Sequence, residues 1–251
     1  MRFIRKLIRF TFVFLLLALL LAGGSYVWKG YQIYRQVTEE APLEEKVAAI
    51  RSIPHYTSIE EMPETYLNAV VAVEDRRFYS HFGIDLMATG RAALTNLKKR
   101  ELAEGGSSIT QQLAKNLYFT QEKVLLRKVA ELFAAFELER NYSKDEILEL
   151  YLNTIYFGSG YYCVYDASMG YFGKEPSAMT DYESTLLAGI PNAPSVYALT
   201  NRPELAAQRQ KTVVACMVEQ EYMTREEADA ILEEIRMQAD AEPGRTKEDG
   251  K

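Results

Sequence analysis

The chain has 251 residues, 48% of them hydrophobic, and a formal net charge of −6. That length supports one domain of about 200 residues with a sizeable core, and the acidic balance excludes wholesale binding to nucleic acid. His55, His81, Cys163 and Cys216 show no metal-ligand spacing, and two histidines make a histidine-based metal site improbable.

The first nine residues, MRFIRKLIR, hold four cations and no acid. Phe10 to Trp28, FTFVFLLLALLLAGGSYVW, is a run of 19 uncharged residues. At ~1.5 Å per residue it spans roughly the 30 Å of a bilayer core. Tyr26 and Trp28 sit at the level of an aromatic belt, and the basic flank places the N-terminus in the cytoplasm. LAGGS would suit a signal protease, but the apolar run is long for a signal sequence, so an uncleaved single-pass anchor is expected. The remainder then faces the outside of the membrane. Residues 29–54 read as a stalk, 55–222 as a compact domain, and 223–251 as a helix with a polar, disordered tail. The two thiols could pair outside the cytoplasm or stay free.

Within the domain, helical periodicity dominates and no β alternation is sustained, so the class is mainly α. The apolar run NAVVAV ends on Glu74 and Asp75, which are followed by Arg76, Arg77, Phe78 and His81. Desolvation would raise the Glu74 pKa toward that of a useful base, and the arginines would lower it. Met87 to Arg100, MATGRAALTNLKKR, reads as a surface helix able to lie on lipid headgroups. EGGSSITQQLAKN then crowds glycines, hydroxyls and amides together, which suits a ligand rich in hydroxyls or phosphate oxygens.

In EKVLLRKVAELFAAFELER, Leu125, Val129, Leu132, Phe133 and Phe136 form an apolar stripe, with Arg127 and Glu131 on one face. Lys115, Lys123, Arg127 and Lys128 make a cationic row that could meet a diphosphate. NYSKDEILELYLNTIYFG opens on a capping box, Ser143 with Glu146, continues through Ile155, and ends at Gly158 and Gly160. A helix from about Asp181 breaks at Pro191, another runs from Pro203 to Glu219, and Thr224 with Glu227 caps a last one.

Order and spacing make these segments specific. EDRRFYSHFGID, GGSSITQQLAKN, RKVAELFAAFELE and KDEILELYLNTIYFG resemble, in order, the first four motifs of the peptidoglycan glycosyltransferases of penicillin-binding-protein type, glycosyltransferase family 51. RQKTVVACM is similar to the fifth, and the resemblance covers about residues 55–220. No Ser-x-x-Lys or Lys-Thr-Gly is present, so a monofunctional transglycosylase is implied.

The resemblance implies a lysozyme-like helical domain with a small membrane-associated lobe. It implies polymerisation of lipid II into glycan strands, with inversion and release of undecaprenyl diphosphate. Glu74 would be the general base and Glu131 the second acid. Lys115, Lys123 and Arg127 would hold the diphosphate. Ser107, Thr110, Gln111 and Gln112 would line the cleft, and Asp75, Arg77 and His81 would shape the first motif. No metal site is read from the residues, although family enzymes often respond to divalent cations such as Mg or Mn. Implied partners are lipid II, the nascent glycan, the membrane, and transpeptidases and other cell-wall synthesis proteins. The rivals are a lysozyme-like hydrolase, which would also need two carboxylates, and a catalytically silent scaffold. After the fourth motif the chain departs from the family pattern, with Cys163 at a usual glycine and Tyr165 at a usual glutamate.

Overall fold

The computed structural model describes residues 2–99, 105–119 and 125–241. Lys123 and the tail from residue 242 therefore lie outside the described residues, as do the expectations placed on them. The described chain is helical, and no strand occurs among the described residues.

Helix α1 runs unbroken from Arg2 to Glu40. It is long and apolar enough to cross a membrane, and its most apolar stretch has no protein packed against it. The segment expected as a stalk is instead folded onto the domain. Helix α1 continues past Trp28, held by the i,i+4 pair Arg35–Glu39, and Tyr31 and Tyr34 pack on Phe133 with ring centroids 5.2 and 5.8 Å apart. Gly30 permits this approach, because a Cβ there would lie 2.5 Å from the Val129 Cβ. Helix α2 (Leu43–Arg51) then sinks Leu43, Val47 and Ile50 into the core.

Helix α3 (Glu64–Glu74) carries the apolar run of the first motif and ends on its acid. Helix α4 (Leu86–Lys99) leaves Leu86, Met87 and Leu94 exposed. Helix α5 (Ile109–Tyr118) packs on α6 (Leu125–Asn141) and α7 (Lys144–Leu152). The α7 capping box is present as expected, but the helix stops at Leu152, short of Ile155. Asn153 ends it by bonding the Thr57 backbone in both directions, at 3.0 and 2.8 Å.

The core-facing stripe of α6 differs from the one read in the sequence. Ala130, Ala134, Ala135 and Leu138 are buried together with Glu131, whereas Phe133 faces α1 and Phe136 is exposed against Phe82. Small residues face inward there because the neighbouring α5 lies close.

Helix α8 (Val164–Phe172) is capped by Cys163, whose Sγ accepts from the Asp166 N–H. Tyr165 lies flat on His55, centroids 4.4 Å apart. Helices α9 (Asp181–Gly189), α10 (Pro194–Tyr197), α11 (Pro203–Glu219) and α12 (Arg225–Ala241) complete the domain. Packing of α3 against α9 and α11 forms the base on which its C-terminus rests. Both cysteines are free.

Candidate active site

Five helices bring side chains to one cleft. Glu74 closes α3, where the helix has run out of apolar residues. Asp75 follows in a non-helical conformation and is buried. Its carboxylate accepts the Ile109 backbone N–H at 3.1 Å and contacts His81 Nε2 at 2.9 and 3.0 Å. Asp75 thus ties the end of α3 to the start of α5.

Glu74 keeps some exposure as a residue, but its Oε1 is sealed from solvent with no hydrogen-bond partner, and its Oε2 accepts from Gln112 Nε2 at 2.8 Å. Burial is the main influence and raises its pKa above the ordinary carboxylate range, with Asp75 adding to the rise. The Gln112 hydrogen bond, Arg209 and Lys115 pull it back down. The result is a carboxylate with one oxygen held and the other waiting for a proton donor.

Beside it, Lys115 on α5 is largely withdrawn from water. Burial lowers its pKa, and the repulsion of Lys128 and Arg127 lowers it further, against the opposing pull of Glu131 and Glu74. Glu131 is fully buried on α6 and ion-paired to Arg127 at 2.9 Å and Lys128 at 2.6 Å. Lys128 also donates to Ser107 Oγ at 3.1 Å. Two cations thus pair with the Glu131 carboxylate and Lys115 stands within electrostatic reach of all three, an arrangement poised for an incoming anion.

A divalent cation fits this group poorly. Glu131 is engaged by cations, and among the described residues no cluster of three or more His, Cys, Asp or Glu converges as a ligand set. The donor set suits phosphate oxygens.

The glycine-serine segment divides in two. Gly105, Gly106 and Ser107 line a pocket of about 110 Å³ together with Glu74, Arg76 and Arg91. From Ser108 to Gln111 the side chains are taken up by the scaffold, although Ser108 still lines the pocket. Ser108 Oγ accepts the Gln111 N–H, the Gln111 side chain accepts the Ser108 N–H, and Thr110 donates to Glu139 at 2.6 Å. Thr110 and Gln111 are buried and turned away from the cleft, and the N–H groups of residues 108, 109 and 111 are already used. Arg77 is engaged as well: it pairs with Asp85, holding that carboxyl down at about 2.

Three contributors were not singled out in the sequence as site residues. Lys128 bridges Ser107 and Glu131. Arg209 acts on Glu74 from α11. Arg91 reaches the pocket from α4. Lys128 carried a local signal as a member of the cationic row, and Arg209 as the first residue of RQKTVVACM. Arg209 and Arg91 come from separate helices.

Comparison with known proteins shows the family of the chain. The family model described as Transglycosylase matches residues 44–218. Penicillin-binding protein 1A of Aquifex aeolicus is 48% identical over 172 residues, which cover 68% of this chain and 24% of that protein. Penicillin-binding protein 1F of Bacillus subtilis is 46% identical over 171 residues, again 24% of its length. The chain thus spans about a quarter of these two relatives. A Cupriavidus necator protein, whose name assigns it provisionally to the transglycosylases, is 41% identical over 199 residues, covering 79% of this chain and 86% of that one. Among solved structures, penicillin-binding protein 1A of Haemophilus influenzae covers 71% of this chain and 17% of its own, at 23% identity and a TM-score of 0.43.

Proposed function

The chain belongs to the transglycosylase family, and from that premise we propose that it is a peptidoglycan glycosyltransferase that polymerises lipid II. The observation that carries the reading is the pairing of Glu74, with its shielded, unbonded oxygen, and the cationic group around Glu131 in one cleft.

Glu74 takes the proton from the 4-hydroxyl of the acceptor sugar as that oxygen attacks the anomeric carbon of the donor. The bond from that carbon to the lipid diphosphate breaks, and the configuration inverts. Negative charge grows on the departing diphosphate, and Lys115, Arg127 and Lys128 neutralise it. Glu131 holds Arg127 and Lys128 in place for that task. A hydrolase would need no such cation group, which favours transfer over hydrolysis.

The substrate carries a long lipid, so the anchor at residues 10–28 and the exposed apolar residues of α4 belong to the same reading. The protein is held at the outer face of the cell membrane with its N-terminus in the cytoplasm, and α4 lies on the lipid. Residues 55–222, with α2 packed into the same core, form the catalytic unit. Transpeptidases that cross-link the product are the expected partners.

The test is direct. Full-length protein in detergent, given lipid II, yields a ladder of glycan chains that Glu74→Gln does not make. Shortening of pre-made strands without polymer supports a hydrolase, and a folded but inert protein supports a scaffold.

A further inference from the structure

Tyr151 lies on α7, fully buried, on the far side of Gln112 from the base. Its hydroxyl donates to Gln112 Oε1 at 3.2 Å, while Gln112 Nε2 donates to Glu74 Oε2 at 2.8 Å. The orientation follows from chemistry. An ionised carboxylate only accepts, so the amide nitrogen faces Glu74 and the amide oxygen faces α7. There it meets a phenol that keeps its proton, because burial, and next the nearby Glu74 charge, hold the Tyr151 pKa well above the ordinary range. At 3.2 Å the contact is longer than the usual hydroxyl hydrogen bond, so its pull on the amide is modest.

Resting on the glycosyltransferase reading, we infer that Tyr151 is a positioning residue, whose hydroxyl holds the Gln112 amide with its nitrogen toward Glu74 and so keeps Oε1 of the base free for the acceptor hydroxyl. Without the phenol oxygen, the amide loses the partner that fixes its direction, and the bond to Glu74 weakens. That bond lowers the pKa of the base, so weakening it raises the pH at which Glu74 becomes competent. The other charged groups facing Glu74 or its pocket are Asp75 beside it, Lys115 on α5, Arg209 on α11, and Arg76, Asp85 and Arg91 around the pocket. The substitution touches none of them.

The bland alternative is a core tyrosine whose hydroxyl simply found an acceptor. Tyr151→Phe separates the two, since it keeps the ring in the core. In full-length protein with lipid II, the acid limb of the kcat/KM profile should move to higher pH by about half a unit to one unit, the effect of one hydrogen bond. Activity should fall about three- to tenfold on the acid side and recover on the alkaline side. In a Gln112→Ala background the same substitution should add no further movement. A limb that stays in place, a loss equal at every pH, or an equal shift in both backgrounds overturns the inference. Failure of the underlying reading looks different: Glu74→Gln would then retain activity.

Discussion

The Asp75 carboxylate accepts the Ile109 backbone N–H at 3.1 Å across 34 residues of sequence. The bond joins the last turn of α3 to the first turn of α5, and so sets Glu74 opposite Gln112. The same carboxylate orients His81. Asp75→Asn leaves one accepting oxygen for two donors, inside a buried site. It should cost about 1.5–3 kcal/mol and lower kcat more than it raises KM, because it displaces the base. Melting curves and initial rates on the same preparation check both halves.

Glu74 should be a cost to the fold at neutral pH. Its folded pKa is raised by burial, so the protonated form is the one the structure favours. The stability this group contributes is present below the unfolded carboxylate range and is lost as pH rises through the folded pKa. Glu74→Gln removes the penalty while keeping the shape. The variant should melt a few degrees above wild type near pH 7.5, about what 1 kcal/mol gives a domain this size. The two should converge near pH 4. Activity should fall by roughly two to four orders of magnitude. A variant that melts lower at neutral pH would show that the carboxylate stabilises the cleft.

Lys128 and Lys115 repel each other, and Lys128 helps lower the Lys115 pKa. Lys128→Ala should relieve that repulsion but also free one side of Glu131 and leave Ser107 without its donor. The expected result is a raised KM for lipid II, about tenfold for the lost charge-assisted contact, with the alkaline limb of the profile moved to higher pH. The stability loss should be about 1 kcal/mol, since the Lys128 side chain is 43% exposed and solvent screens the pair. Rates across pH 7–10 decide it.

Gly30 allows α1 to lie on α6, with Val129 filling the space a Cβ would need. Gly30→Leu should push the helices apart and cost about 1–3 kcal/mol. The effect should reach Glu131 through α6 and lower activity with lipid-anchored substrate. If activity and melting were unchanged, the docking of α1 would not constrain the cleft.

Local signals were legible. The capping pairs at Ser143 and Thr224 lie within four residues of their partners, and each appears in the structure. Ser108 with Gln111 is a capping box too, yet its polar composition reads as a ligand loop. The α6 stripe differs from the sequence pattern because hydrophobicity alone points Phe133 inward, whereas α1 supplies a second surface for it. Arg209 and Tyr151 lie inside the fifth and fourth motifs, but their link to Glu74 had no local signal, since each meets Glu74 or its partner only across helices.

By itself the sequence determined the helical class, the apolar N-terminal run and the ordered motifs, because periodicity, capping and motif spacing are properties of neighbouring residues. Only the tertiary structure decided that Asp75 reaches Ile109, that Thr110 and Gln111 turn into the scaffold, and that Lys128 joins Ser107 to Glu131. Those outcomes depend on which helices pack together. Burial and the approach of a partner from another helix then set how each carboxylate and amine holds its proton, and no local stretch of chain contains that information.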